Sequence, residues 1–161
     1  MTHADDWVLL AYRIPREPST ARVAIWRKLK QLGVAQIVDG LIALPATPRT
    51  QESLEWIAKD IVSHAGEATI WLSRPGTRAQ GRALAARLHD ERAVEYQAIA
   101  AGAQSALGDE PSAPRTLARL RRELHRVGER DHFSPPARTE AITALDQLAA
   151  QIDDARVKAS R

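Results

Sequence analysis

Asp39-Gly40 lies between two short apolar runs, Val34-Ala35-Gln36-Ile37-Val38 and Leu41-Ile42-Ala43-Leu44-Pro45. An Asp-Gly pair in that setting is the strongest short-range signal for a tight antiparallel hairpin. Whatever else the first 75 residues form must be built around it. Upstream, Trp7-Val8-Leu9-Leu10-Ala11-Tyr12 is a nearly continuous apolar run, short enough for a buried central strand and stopped by the prolines at 15 and 18. Between this strand and the hairpin, Ala21, Ile25, Trp26, Leu29 and Leu32 recur at helical spacing, with Ser19 as the expected N-cap and Gly33 as the expected C-cap. After the hairpin, Thr50 is expected to open a second helix with Leu54, Ile57, Ala58, Ile61 and Ala65 on its core face, ending at Gly66. Ala68, Ile70 and Leu72 then alternate with Thr69, Trp71 and Ser73, the period of a fourth strand that stops at Arg74-Pro75-Gly76.

The resulting order, β-α-β-β-α-β, predicts an α+β fold with a ferredoxin-like sheet of strand order 4-1-3-2 and both helices on one face. That topology carries a spatial consequence. The end of strand one (Arg13, Arg16), the hairpin turn (Asp39) and the start of strand four (Glu67) share one rim, and Arg49 and Arg74 belong to the opposite rim.

From Thr77 onward the period is helical, with breaks around Gly108–Pro114 and Asp131–Pro136. Three helices are expected, over about 78–105, 115–129 and 135–158. The last is expected to have Ser134 as its cap, Pro135 at its first position, and Ala141, Ile142, Leu145, Leu148, Ala149 and Ile152 as its apolar stripe. The expected organisation is an α/β unit over 1–75 and a helical extension over 76–161 packed on or beside the sheet's open face, the two forming one folding domain.

Composition narrows the functional classes. The 161 residues contain no cysteine, which excludes disulfides, thiolate nucleophiles and Cys-based metal sites. No apolar run approaches membrane-spanning length, and Met1–Asp6 lacks the basic stretch and apolar run of a secretory leader. A cytoplasmic chain without membrane partners is expected. The charge balance, 23 Lys+Arg against 20 Asp+Glu, makes any basic surface a matter of placement. The five histidines (His3, His64, His89, His125, His132) show no metal-ligand spacing, and there is no nucleophile elbow, P-loop or dinucleotide turn. No catalytic residue, cofactor or metal ligand is nominated.

Placement does produce two basic strips. Arg115, Arg119, Arg122 and Arg126 form a stripe opposite Leu117, Leu120, Leu124 and Val127, a cationic face suited to phosphates; solvation, or pairing with Glu91 and Glu95 of the preceding helix, is the plainer reading. Arg22, Arg27 and Lys30, with Arg16 and Lys28, form a second strip along helix one, and two such patches could cooperate in a dimer. Glu91 and Glu95 are expected to pair with Arg87, Arg92 or the later arginines. Trp26 reads as core, while Trp56 and Trp71 lie off the main apolar sets and are expected to be partly covered by the C-terminal helices. Asp131 is expected to cap the break after helix four, with Phe133 plugging the core behind it.

Several strings are similar to the N-terminal domain of the chromate resistance regulator ChrB: Tyr12-Arg13-Ile14-Pro15-Arg16-Glu17-Pro18-Ser19, Val23 through Gly33, Leu44-Pro45-Ala46-Thr47-Pro48-Arg49-Thr50, Gly66-Glu67-Ala68, and Arg121 through Phe133. The resemblance covers nearly the whole chain. More distantly, strands one to three look like the ferredoxin-like module of phenylacetate-type repressors and of the small nuclease of CRISPR spacer acquisition. Those nucleases place an aspartate at the end of strand one, where this chain has Tyr12-Arg13, so phosphodiester cleavage is not carried over. The resemblance implies a cytoplasmic regulator connected with chromate resistance. It also implies a C-terminal domain that responds to chromate, which this chain lacks and a separate partner protein would supply. Two roles follow. One is a homodimeric DNA-binding module contacting phosphates through Arg115, Arg119, Arg122 and Arg126 with Arg22, Arg27 and Lys30. The other is a non-enzymatic sensor or protein-interaction module in which Arg13 and Arg16, or Arg49 and Arg74, hold chromate or another oxyanion.

Overall fold

The computed structural model describes residues 5–160; residues 1–4, with His3 and most of the N-terminal stretch, and residue 161 lie outside it. The chain is α+β: β1 (Trp7–Arg13), α1 (Ser19–Gln31), β2 (Ala35–Val38), β3 (Leu41–Pro45), α2 (Pro48–Ser63), β4 (Glu67–Ser73), α3 (Arg78–Ser105), α4 (Ala113–Glu129) and α5 (Pro136–Ala159). It divides into two compact units, with the boundary inside α3 after Leu88. No helix among the described residues is long and apolar enough to cross a membrane.

In the first unit the four strands form one antiparallel sheet, ordered β2-β3-β1-β4. β1 is central, which is why its run is apolar on both faces. Val8 and Leu10 face one side, where Ile42 and Leu44 of β3, Ile25 and Leu29 of α1, and Leu54, Ile57 and Ile61 of α2 complete a core. Trp7, Ala35 and Ala43 face the other side and pack with Leu84, Ala85 and Leu88 of the first half of α3.

The hairpin turn carries Gly40 at φ +77°, and a Cβ there would lie 2.5 Å from the Tyr12 carbonyl oxygen. Only glycine lets the turn close onto the end of β1, where the Tyr12 N–H donates to the Gly40 carbonyl at 2.8 Å. The ladder to β3 is irregular between Gln36 and Val38, and Ile37 and Val38 are exposed.

Several local boundaries differ from the sequence reading. α1 begins at Ser19 itself, after Pro18 at the cap position and with no side-chain cap bond. α2 begins earlier than Thr50, at Pro48: the Thr47 hydroxyl accepts the Thr50 N–H and the Thr50 hydroxyl accepts the Thr47 N–H, a reciprocal capping box. α2 also ends earlier, at Ser63, because Ala65 turns left-handed at φ 60°. Gly66 then allows β4 to begin against β1, since a Cβ there would lie 2.6 Å from the Arg13 carbonyl oxygen. Leu72 faces the same side as Val8 but is 59% exposed, because β4 is an edge strand.

The second unit comprises the rest of α3 with α4 and α5. Tyr96, Ile99 and Ala103 pack with Leu117, Leu120 and Val127 and with Ala141, Leu145 and Leu148. α5 begins at Pro136 with Pro135 as its cap, and Ser134 takes φ 46° instead of capping. Ile142, expected in the apolar stripe, is at the exposed margin of α5.

Candidate functional site

The arginine stripe of α4 places four cations along one helix. At 100° per residue, the 4-3-4 spacing of Arg115, Arg119, Arg122 and Arg126 keeps their Cα positions within about 60° of arc and strings them over about 16 Å of axis. All four are exposed, while Leu117, Leu120 and Val127 on the opposite side are buried. Arg119 meets Glu123 at 3.4 Å in a pair that is exposed on both sides and therefore contributes little. Among the described residues, Arg115, Arg122 and Arg126 make no ion pair. The acids expected to neutralise them are engaged elsewhere: Glu95 accepts from Arg92 at 2.9 Å and from Arg130, which lies just beyond the helix, and Glu91 lies 3.5 Å from Arg92.

The second strip is less uniform. Arg22, Arg27 and Lys30 are exposed on α1. Lys30 lies over the Trp26 ring, 5.7 Å from its centroid, while Lys28 turns to α2 and donates to Asp60 at 2.6 Å. That bond is the main reason the Asp60 carboxyl sits below the usual carboxylate range.

The four rim arginines are divided between the two ends of the sheet. At the end of β1, Arg13 bridges to Glu67 at 2.8 Å across the β1–β4 pair. Arg16 is exposed in the following loop and does not line the neighbouring cleft. At the start of β1, Arg74 bonds to Asp6 at 2.5 Å, and Arg49 is exposed in the first turn of α2. Two of the four guanidiniums are thus already paired with carboxylates.

Beside the Arg13 rim lies a cleft of about 580 Å³, lined by Tyr12 and Arg13 of β1, Arg22 and Trp26 of α1, and Gln36 and Asp39 of the hairpin. Gln36 donates to Asp39 at 3.0 Å. The Tyr12 phenol is raised, first by burial and then by the Asp39 charge, against an opposing effect from Arg22. Topology alone places Arg13, Asp39 and Glu67 together; the contributions of Tyr12, Trp26 and Gln36 become visible only in three dimensions, because neither period nor motif links them.

The second unit holds a polar cluster that sequence reasoning resolves only in part. Tyr96 is completely buried, and its hydroxyl donates to Asp131 at 2.9 Å. The other Asp131 oxygen accepts the N–H groups of Phe133 and Ser134 at 3.0 and 2.9 Å. Asp131 therefore caps the break as expected, but Phe133 is 36% exposed instead of filling the core. Burial, reinforced by Asp131, pushes the Tyr96 phenol up to about 12. Arg92 is nearly buried, its Nε has no partner among the described residues, and its guanidinium reaches Glu95, one of the acids for which Arg87, Arg92 or the later arginines are the expected partners. Trp56 and Trp71 remain exposed instead of covered. Among the described residues no three His, Asp or Glu side chains are gathered to hold a metal ion.

An α+β chain with a four-stranded antiparallel sheet, a basic rim and a helical unit with one cationic face can be set against known families. The profile described as Protein ChrB, N-terminal, matches residues 22–110, and the chain belongs to that family. Among curated proteins, Protein ChrB of Cupriavidus metallidurans (strain ATCC 43123 / DSM 2839 / NBRC 102507 / CH34) is 28% identical over 152 residues, covering 91% of this chain and 46% of that protein. The chain thus spans about half the length of the curated relative it matches. No solved structure matches.

Proposed function

We propose that this chain is a DNA-binding regulatory module of the chromate-resistance type, acting in the cytoplasm as a homodimer with a ferredoxin-like first unit. The observation that carries this reading is the α4 face, where four exposed arginines stand in line and three of them make no ion pair among the described residues. Guanidiniums so arranged are available to phosphate oxygens and displace counterions on binding. Arg22, Arg27 and Lys30 supply a second set of phosphate contacts from α1. Family membership supports the chromate-resistance context.

The test is an anisotropy titration on the DNA upstream of the chain's own coding region, across a range of salt concentrations. Log K is expected to fall with log salt by about 0.9 per phosphate contact. Arg119→Ala/Arg122→Ala is expected to shallow that slope by about 1.8, and an unchanged slope removes α4 from the interface. A second reading, an oxyanion sensor using Arg13 and Arg16 or Arg49 and Arg74, rests on Arg16 and Arg49, the exposed guanidinium at each rim that makes no ion pair among the described residues. Titration with chromate and sulfate, with and without DNA, separates the two.

A further inference from the structure

The cleft beside the end of β1 has wall chemistry unlike that of an anion trap. Its volume, about 580 Å³, falls within the range of small-ligand sites. Arg13 is turned to Glu67 in an exposed pair, and the other charged lining groups are Arg22 and Asp39. Neither makes an ion pair among the described residues, yet both lie close enough to Tyr12 to act on its hydroxyl in opposite senses. Two opposite charges thus face one cleft without meeting each other. A dianion drawn to Arg22 would encounter the Asp39 carboxylate, and a simple cation drawn to Asp39 would encounter the guanidinium. A ligand carrying both charges satisfies both groups.

The remaining walls combine polar Ser19 and Gln36 with Ile14, Val23 and the rings of Tyr12 and Trp26. The hairpin side is held firmly, because Gly40 lies against the Tyr12 carbonyl too closely for any Cβ. The geometry points to a binding site for a small zwitterion, an α-amino acid with an apolar or aromatic side chain. Its carboxylate lies on Arg22, its ammonium at Asp39, and its side chain along Trp26. Arg22 is also one of the α1 phosphate contacts proposed above, so the site is assayed without DNA.

The test is a nuclear magnetic resonance titration of the full chain with L-leucine and L-phenylalanine, following the Gly40 amide and the Trp26 indole. The N-acetyl derivatives, the methyl esters and inorganic sulfate are titrated alongside. The free amino acid is expected to shift both signals saturably in the millimolar range, and masking either charge is expected to weaken binding at least about tenfold. Asp39→Asn is expected to weaken the free amino acid but not its N-acetyl form, and Arg22→Gln to weaken the free amino acid but not its ester. Asn-Gly supports the same turn as Asp-Gly and Arg22 is exposed, so both variants keep the fold; unchanged amide signals outside the cleft verify this. No saturable shift with either amino acid, equal binding of the masked forms, or preferential binding of sulfate overturns the proposal.

Discussion

Tyr96 shows how one residue can tie a loop to a helix. Its ring fills the core of the second unit while its hydroxyl donates to Asp131, whose other oxygen fixes the backbone of Phe133 and Ser134. Removing the hydroxyl leaves Asp131 with its two amide donors, so the main loss is the buried bond to a charged group, with a lesser one to Arg138. Tyr96→Phe is expected to lower stability by about 1.5–3 kcal/mol near neutral pH, measured by urea denaturation. The pH dependence provides a second check. In the folded chain the phenol ionises only at about 12, against 10.0 ordinarily, so between these values the native state holds a proton that the unfolded state releases. Stability from this group is complete below pH 10 and is lost as pH rises through that window. The gap between wild type and Tyr96→Phe is expected to narrow from pH 10 toward 12; a constant gap contradicts this account of the buried phenol.

At the scale of elements, α4 separates its two duties by face, and the separation is measurable. Leu120 is buried in the second core and meets Gly102 of α3 at 3.3 Å from where a Cβ would stand. Leu120→Ala is therefore expected to cost about 2–5 kcal/mol. Arg115→Gln/Arg122→Gln, which breaks no ion pair, is expected to change stability by less than about 0.5 kcal/mol per site. Thermal unfolding of both variants decides the point, and a large loss in the arginine variant would show that the stripe serves the fold. This helix was legible in the sequence because both of its stripes follow one period. The central place of β1 was legible from its unbroken apolar run and the Asp-Gly hairpin beside it. Other features were not, for physical reasons. Thr47 and Thr50 cap α2 by bonding each other, and nothing in the apolar pattern marks where that begins. Leu72 alternates correctly yet stays exposed, because alternation reports the face of a strand and not whether the strand lies at an edge. Arg92 is charged and nearly buried, and only its neighbours in space explain that.

At the scale of the molecule, the chain has separate cores with no buried residue in common. One set lies between Trp7 and Leu88 and the other between Tyr96 and Ile152. α3 runs through both units, and whether they unfold together is open to measurement. All four tryptophans, Trp7, Trp26, Trp56 and Trp71, belong to the first unit, so tryptophan emission reports that unit alone. Far-ultraviolet circular dichroism is dominated by helix and weights the second unit, which contains α4, α5 and much of α3. A helix backbone transmits little stability without packing around it, since most helical stability comes from tertiary contacts. The two probes are therefore expected to give different midpoints in guanidinium chloride. Leu148→Ala, which opens a cavity in the second core, is expected to move the dichroism midpoint and leave the emission midpoint in place. Coincident midpoints that move together in Leu148→Ala would show that the two cores unfold in a single cooperative transition.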